Sequence, residues 1–436
     1  MKKPNIVYIH SHDTGRYIEP YGYAVKTPNL RNLAEEGLMF RQAYSTSPTC
    51  SPSRASLLTG YYPHNNGMLG LAHRGFSLGN YNHHIIHTLK KVGYTTVLAG
   101  VQHIASGSSP WQTIGYDMCL EEIPDHVFSG DWEDNLTHKK ACEYFDNSPK
   151  EPFFISIGFT ETHRMFPSLS KTNNSSYTSV PCPLPDTPEV REDLACFKSS
   201  VNNLDKKIGE VIDALKRNNL YNNTLIICTT DHGLPFPKMK CTLTGHGIGV
   251  MLIISWPDYF QGGKVFDCLV SQIDIYPTIC DLLGIEHPDW LEGNSLVPVF
   301  EGKQDEVREE VFSEVTFHAA YEPIRSIRTK RWNYIKRFGD RLKPVLPNVD
   351  DSPTKDLLLH YDFAEQTYDK ESLYDLINDP CETNNLINEA THLPILNNLR
   401  MRLDNWMKKT NDPLIHGYVE VPQDVVLDDP DSISPS

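Results

Sequence analysis

Short apolar, β-branched runs recur along the chain, and each stops in a cluster of polar residues. Residues 6–10 end in Ser11, His12, Asp13, Thr14 and Gly15. Residues 95–98 lead to Gly100, Val101, Gln102 and His103, residues 152–159 to Thr160, Glu161, Thr162, His163 and Arg164, and residues 224–230 to Asp231, His232 and Gly233. Apolar runs of this length bounded by polar turns predict buried strands. Helix signals lie between them. Thr27-Pro28-Asn29 reads as a Thr-capped start with proline at the first helical position, and residues 85–92 form another helix. The longest has Val190, Leu194, Phe197, Val201, Leu204, Ile208, Val211 and Leu215 at spacings of three and four, one apolar stripe facing a sheet. Strand alternating with helix predicts an α/β fold, whose site lies at the carboxyl ends of its strands. His12 with Asp13, His103, His163, and Asp231 with His232 are therefore expected to meet in one site.

A further strand is predicted at residues 250–254, and a helix from about 273 to Gly284. Residues 168–187, rich in Ser, Asn and Pro, read as a surface loop. Beyond about residue 305 the strands shorten (310–315, 326–328, 332–335, 372–376) and a helix follows at 393–408. The expected organisation is a catalytic α/β domain over 1–305, a small α+β domain over 306–427, and a disordered acidic tail over 428–436.

The stretch Cys50-Ser51-Pro52-Ser53-Arg54-Ala55-Ser56-Leu57-Leu58-Thr59-Gly60 stands apart. Residues 53–58 read as the opening of a helix, which places Cys50 just ahead of free N–H groups and the positive end of the helix dipole, a place suited to an anion. Such a cysteine is open to three readings: a thiolate with a depressed pKa, a small buried apolar residue, or a residue that is chemically modified.

Charge narrows the partners. The chain has 436 residues, a formal net charge of −16 and an isoelectric point near 5.5, which disfavours nucleic acid and anionic membrane surfaces. An anionic substrate must then be caught by a few local Arg, Lys and His residues. Ten scattered cysteines form neither a disulfide framework nor a zinc motif and suit a reducing compartment. With no signal-like or membrane-spanning run at its start, the chain reads as cytoplasmic, a removed leader being the alternative. The sequons at Asn135, Asn174 and Asn222 carry no consequence in that compartment.

Cys50-x-Pro52-x-Arg54 followed by Leu58-Thr59-Gly60 resembles the signature of the type I sulfatases, in which the cysteine is oxidised after translation to formylglycine. The resemblance extends from Pro4-Asn5-Ile6-Val7 to Leu373-Tyr374-Asp375-Leu376 and Asn378-Asp379-Pro380. Within the family, His64-Asn65-Asn66-Gly67-Met68, His163-Arg164 and Gly233-Leu234-Pro235-Phe236-Pro237 look most like the heparan N-sulfatase (sulfamidase) branch. The resemblance implies an alkaline-phosphatase-like large mixed sheet flanked by helices, with a smaller C-terminal α+β domain. It also implies glycosaminoglycan degradation, a small anionic sulfated sugar as substrate with N-sulfoglucosamine the first candidate, one divalent metal, and a formylglycine-generating enzyme as maturation partner. By position, His12, Asp13, Asp231 and His232 would surround the metal beside residue 50. Arg54 would orient the hydrated formylglycine, an oxygen of which attacks sulfur. His103 would act on its hydroxyl, His163 would protonate the leaving group, and Lys240 would contact the sulfuryl oxygens.

Three positions depart from the family pattern. His12 and His232 stand where relatives carry oxygen donors, which argues for Mn, Fe or Zn over Ca. Val101 stands where many relatives carry a lysine, and His246 is a candidate for replacing some of that charge. Arg164 either binds a substrate carboxylate or pairs with Glu161. The competing functions are a phosphonate or phosphate ester hydrolase of the same superfamily and a degenerate binding protein.

Overall fold

The computed structural model describes residues 2–122, 136–169 and 173–436; the Asn135 sequon lies outside them. Eight of the described strands build one large sheet: β1 (Asn5–Ser11), β2 (Leu38–Tyr44), β3 (Thr95–Gly100), β4 (Met118–Glu122), β5 (Phe153–Gly158), β6 (Thr224–Thr230), β7 (Leu252–Ser255) and β8 (Lys264–Ser271). Their order is β4-β3-β5-β1-β6-β7-β2-β8. At its centre β3, β5, β1 and β6 run parallel, and their registers keep the carboxyl ends level: Gly100 lies opposite Gly158, Gly158 opposite His10, and Ser11 opposite Thr230. β7 runs antiparallel to both of its neighbours, so the sheet is mixed.

Every residue of β1, β5 and β6 is buried, because helices cover both faces. Strand side chains alternate between faces. Val7 and Ile9 accordingly pack with Ile155 and Ile157 under the helix Pro188–Arg217, whose stripe from Val190 to Leu215 is buried as its spacing predicts. Ile6, Tyr8, Phe154 and Ile227 point the other way, against Ala55, Leu57 and Leu58 of the helix Cys50–Thr59 and Ile275 and Ile279 of the helix Ile275–Leu283.

A second, antiparallel sheet has the order β12-β11-β10-β9, from β9 (Val311–Phe317), β10 (Tyr321–Arg328), β11 (Trp332–Arg337) and β12 (Glu371–Asp375). The helix Leu393–Lys409 covers it, burying Leu396, Leu399, Leu403 and Trp406 in one cluster with Ile327, Tyr334 and Leu373. No described helix is long and apolar enough to cross a membrane.

Four local expectations change. The helix after the polar loop begins at Cys50 itself, not at Ser53. Thr27 precedes the helix Pro28–Glu36 but does not cap it: its hydroxyl accepts from Glu19 N–H, and Thr27 N–H donates back to the Glu19 carboxylate. Strands β2, β4 and β8 have no counterpart in the sequence reading. The acidic end, expected as a loose tail, is tied down. Val426 N–H donates to Arg74 O, Asp428 N–H donates to Ala319 O, and the Asp428 carboxylate pairs with Arg74 at 3.0 Å.

A buried charge network joins the second sheet to the large domain. Arg325 is fully buried and grips Asp412 (2.5 and 3.1 Å), with Glu314 at 3.6 Å, and Glu314 in turn accepts from His64 N–H (2.8 Å) and pairs with the His64 ring (2.5 Å). Burial alone would lower the His64 pKa, but Glu314 outweighs it and the net shift is upward. At Asp412 burial acts upward and Arg325 outweighs it, so the net shift is downward. His64 therefore contributes stability that is complete below its unfolded pKa of about 6.5 and is lost as pH rises through its raised folded value. Asp412 contributes stability that is lost as pH falls through its depressed value. Unfolding free energy measured in urea should decline on the alkaline side of about pH 6.5, and His64→Gln should flatten that slope. Arg325→Met should cost about 3–5 kcal/mol, because it strands two buried carboxylates.

Candidate active site

The helix Cys50–Thr59 points its N-terminus at the carboxyl ends of β1 and β6. Thr49 precedes it without a side-chain cap, its hydroxyl being engaged with Ser47 (2.8 Å), so the first-turn N–H groups keep their pull on an anion. Arg54 lies one turn on from Cys50 and shares its face. Its guanidinium donates to Ser11 O and Asp231 Oδ2, both at 2.9 Å, and to the ring of His10. His10 is held neutral by burial and by Arg54, which leaves Nδ1 free to accept, while Nε2 meets Ser156 Oγ at 3.0 Å. Gly158 leaves room for that ring: a Cβ there would stand 2.1 Å from Val101 O and 2.6 Å from His10 Cε1.

Two carboxylates and two imidazoles surround residue 50. Atoms of His12, Asp13, Cys50 and Asp231 able to ligate a metal lie within 4.8 Å of one another, all buried. Asp231 is fixed by Asp13 N–H (2.8 Å) and its neighbour His232 N–H (2.9 Å), with His12 Nδ1 3.0 Å from Oδ2. His232 sets Nδ1 against Gly233 O (3.1 Å) and turns Nε2 inward, 3.0 Å from Asp13 Oδ1 and 3.3 Å from Cys50 Sγ. Adjacent buried carboxylates repel unless cations lie between them, and imidazoles oriented by a backbone carbonyl are common partners of a metal. The donor set fits one divalent ion. Asp13 and His103 also hold left-handed backbone, φ 51° and 58°, a strained state that collects at functional sites.

Cationic and proton-bearing groups complete the ring. Lys240, fully buried, bridges Asp13 Oδ2 (3.1 Å) and Asp350 Oδ2 (2.7 Å), and these carboxylates, outweighing burial, keep it charged. His103 belongs to a cluster with His12 and Cys50 within 4.8 Å and meets His73 at 3.3 Å; burial, then His12 and His73, hold it well below the usual histidine range. His163 sets Nδ1 against Arg164 O (2.6 Å) and, half-buried, has its pKa lowered by burial and Lys240. Burial pushes the Cys50 thiol well up, with Asp13 and Asp231 adding to the shift, so the thiolate is disfavoured despite the helix dipole.

One expected contact does not form: Arg164 does not pair with Glu161. It is locked to Asp193 by two bonds (2.7 and 2.8 Å) between the rings of Phe166 and Phe236, and Glu161 pairs with Lys207. His246 lies in the wall of a cavity of about 720 Å³ that also contacts Lys240, Arg337 and Tyr368, and burial lowers its pKa. The sequence alone did not single out His10, the last residue of the first apolar run, or His73 and Asp350, which follow no such run.

Comparison with known proteins identifies the chain's relatives. The Sulfatase family profile matches residues 4–285, and the profile described as N-sulphoglucosamine sulphohydrolase, C-terminal, matches residues 240–355. Human N-sulphoglucosamine sulphohydrolase is 28% identical over 90% of this chain and 87% of its own. A structure solved with its substrate D-glucosamine-2-N,6-O-disulfate superposes with a TM-score of 0.74 at 19% identity, covering 94% of this chain and 99% of that one. The phosphonate monoester hydrolase of Agrobacterium radiobacter superposes at 0.72 and 19%, covering 94% and 96%. With well over half of the chain under one profile and the signature cysteine at the centre of the site, this protein belongs to the sulfatase family and is a hydrolase of sulfuric esters or sulfamates.

Proposed function

We propose that the chain removes the N-sulfate of a small glucosamine-like sugar, with residue 50 working as the formylglycine made from Cys50. The observation that carries the reading is the meeting of the complete Cys-x-Pro-x-Arg signature with the acid and histidine set at the ends of four neighbouring parallel strands. The C-terminal profile and the human relative support the N-sulfate. His12, Asp13, Asp231 and His232 would hold the metal. When bound, the metal and the hydrated aldehyde supply an oxygen nucleophile at neutral pH and positive charge for the sulfuryl oxygens.

The remaining work falls to the chain's own side chains. Arg54 and Lys240 offset negative charge, Arg54 beside Asp231 and Lys240 between Asp13 and Asp350, so little net positive charge is left over, which suits a singly charged sulfate or sulfamate better than a doubly charged phosphate. His103, kept neutral, can take a proton from a hydroxyl at residue 50. In its imidazolium form His163 keeps Nδ1–H on Arg164 O and presents Nε2–H, from which it delivers a proton to the leaving group.

Enzyme coexpressed with a formylglycine-generating partner should cleave glucosamine N-sulfate with higher kcat/KM than glucosamine 6-O-sulfate or a phenyl phosphonate. Cleavage of the latter two but not the first would remove the N-sulfate assignment. Chelation should abolish activity, and Mn should restore it at least as well as Ca, since two of the donors are imidazoles. Reconstitution followed by elemental analysis checks this, and recovery with Ca alone would show that one of the histidines is not a ligand.

A further inference from the structure

Asp350 reaches the site from the second domain, and no sequence motif points to it. Three charged groups stand in a row, Asp13, Lys240 and Asp350, with Lys240 between the carboxylates at 3.1 and 2.7 Å. The row leads outward: the side chains of Asp13 and Lys240 are 0% and 1% exposed, that of Asp350 is 22% exposed. Asp350 also forms a cluster with Asp13 and His163, a carboxylate oxygen and a ring nitrogen within 4.8 Å. One substrate atom can bridge such a span by hydrogen bonds to both.

The loop that carries Asp350 is held firmly. Asn348 donates to Glu322 (2.8 Å) and accepts from Ala320 N–H (2.8 Å), its carbonyl meets Cys241 Sγ (3.2 Å), and Lys355 Nζ donates to Val349 O (2.7 Å) and Leu346 O (3.1 Å). A carboxylate so supported keeps its place before substrate arrives, as a specificity group must.

We propose that Asp350 reads the leaving atom: it accepts the N–H of a sulfamate and so selects N-sulfate over O-sulfate. The proposal rests on the N-sulfate reading above. A sulfamate nitrogen carries a hydrogen that a carboxylate can accept, whereas an ester oxygen carries only lone pairs, which a carboxylate repels. As the S–N bond breaks, its electron pair stays on nitrogen and a proton from His163 joins it, while the sulfuryl group goes to the oxygen nucleophile at residue 50. The amine left behind then stays hydrogen-bonded to Asp350. A site that pairs a substrate N–H discriminates against the analogue lacking it far more strongly than an apolar pocket discriminates by size.

The test compares glucosamine N-sulfate with glucosamine 6-O-sulfate in formylglycine-bearing wild-type, Asp350→Asn and Asp350→Ser enzymes, each checked by thermal unfolding. The amide of Asn can still accept from Lys240 but can also donate to an ester oxygen. The ratio of kcat/KM values, N-sulfate over O-sulfate, should fall by about 30-fold or more in Asp350→Asn. Product inhibition gives a readout independent of turnover: glucosamine should bind wild-type more tightly than glucose does, and both variants should lose that difference. A parallel fall on both substrates with the glucosamine preference intact would mean that Asp350 only steadies Lys240, and would overturn the proposal alone. No cleavage of N-sulfate by wild-type enzyme would overturn the N-sulfate reading and the proposal with it.

Discussion

Cys50→Ser should lower turnover by at least ~10⁴-fold while leaving the thermal unfolding transition close to that of the parent. Serine matches the thiol in size and finds His232 Nε2 where Sγ stood, so the buried helix start loses little. What it lacks is a second hydroxyl on the same carbon. A sulfuryl group transferred to a serine oxygen has no neighbour to expel it, so the variant should accumulate one sulfuryl adduct and stop. The unmodified thiol is no substitute, because burial and the two flanking carboxylates hold it protonated. Peptide mass spectrometry of residues around position 50 decides the matter: an active wild-type preparation carrying only unmodified thiol would sink the mechanism.

His163→Ala should depress glucosamine N-sulfate hydrolysis by about 10³-fold and nitrophenyl sulfate hydrolysis by less than about 10-fold. An amine is a poor leaving group until it is protonated, whereas a nitrophenolate leaves unaided. The Nδ1 bond to Arg164 O fixes the ring, and Arg164 is itself clamped by Asp193, so proton delivery depends on a relay of contacts reaching the long helix. Arg164→Met should consequently lower N-sulfate hydrolysis more than nitrophenyl sulfate hydrolysis, though less sharply than His163→Ala. Equal losses on both substrates in His163→Ala would place His163 in sulfuryl binding instead of acid catalysis.

The centre of the sheet was readable because parallel strands buried on both faces are unbroken apolar runs, and each ends where side chains must turn polar. β1, β5 and β6 announce themselves in this way. β2 does not, because Arg41 and Gln42 interrupt it where it leaves the core, and β8 is exposed over its first half, at the sheet edge. The site was legible to the same extent as its strands. His12, Asp13, His103, His163, Asp231 and His232 follow strand ends, whereas Asp350 follows the short turn Leu346–Asn348 of the second domain, with no periodic signal. The pairing of Arg164 with Glu161 is replaced by one with Asp193, 29 residues on, in the first turns of the helix Pro188–Arg217, a pairing that only tertiary packing creates.

All ten residues of the helix Cys50–Thr59 are buried, and Cys50 is 1% exposed. An enzyme that oxidises Cys50 must grip the residues around it, and in the finished molecule there is nothing to grip. On the proposed formylglycine mechanism, oxidation would therefore have to come first and burial second. The share of molecules that ever become active would then be set by a race between the maturing enzyme and the folding chain, and a more stable fold could not rescue the losers. Protein refolded from denaturant with its thiol intact would regain this architecture and remain silent.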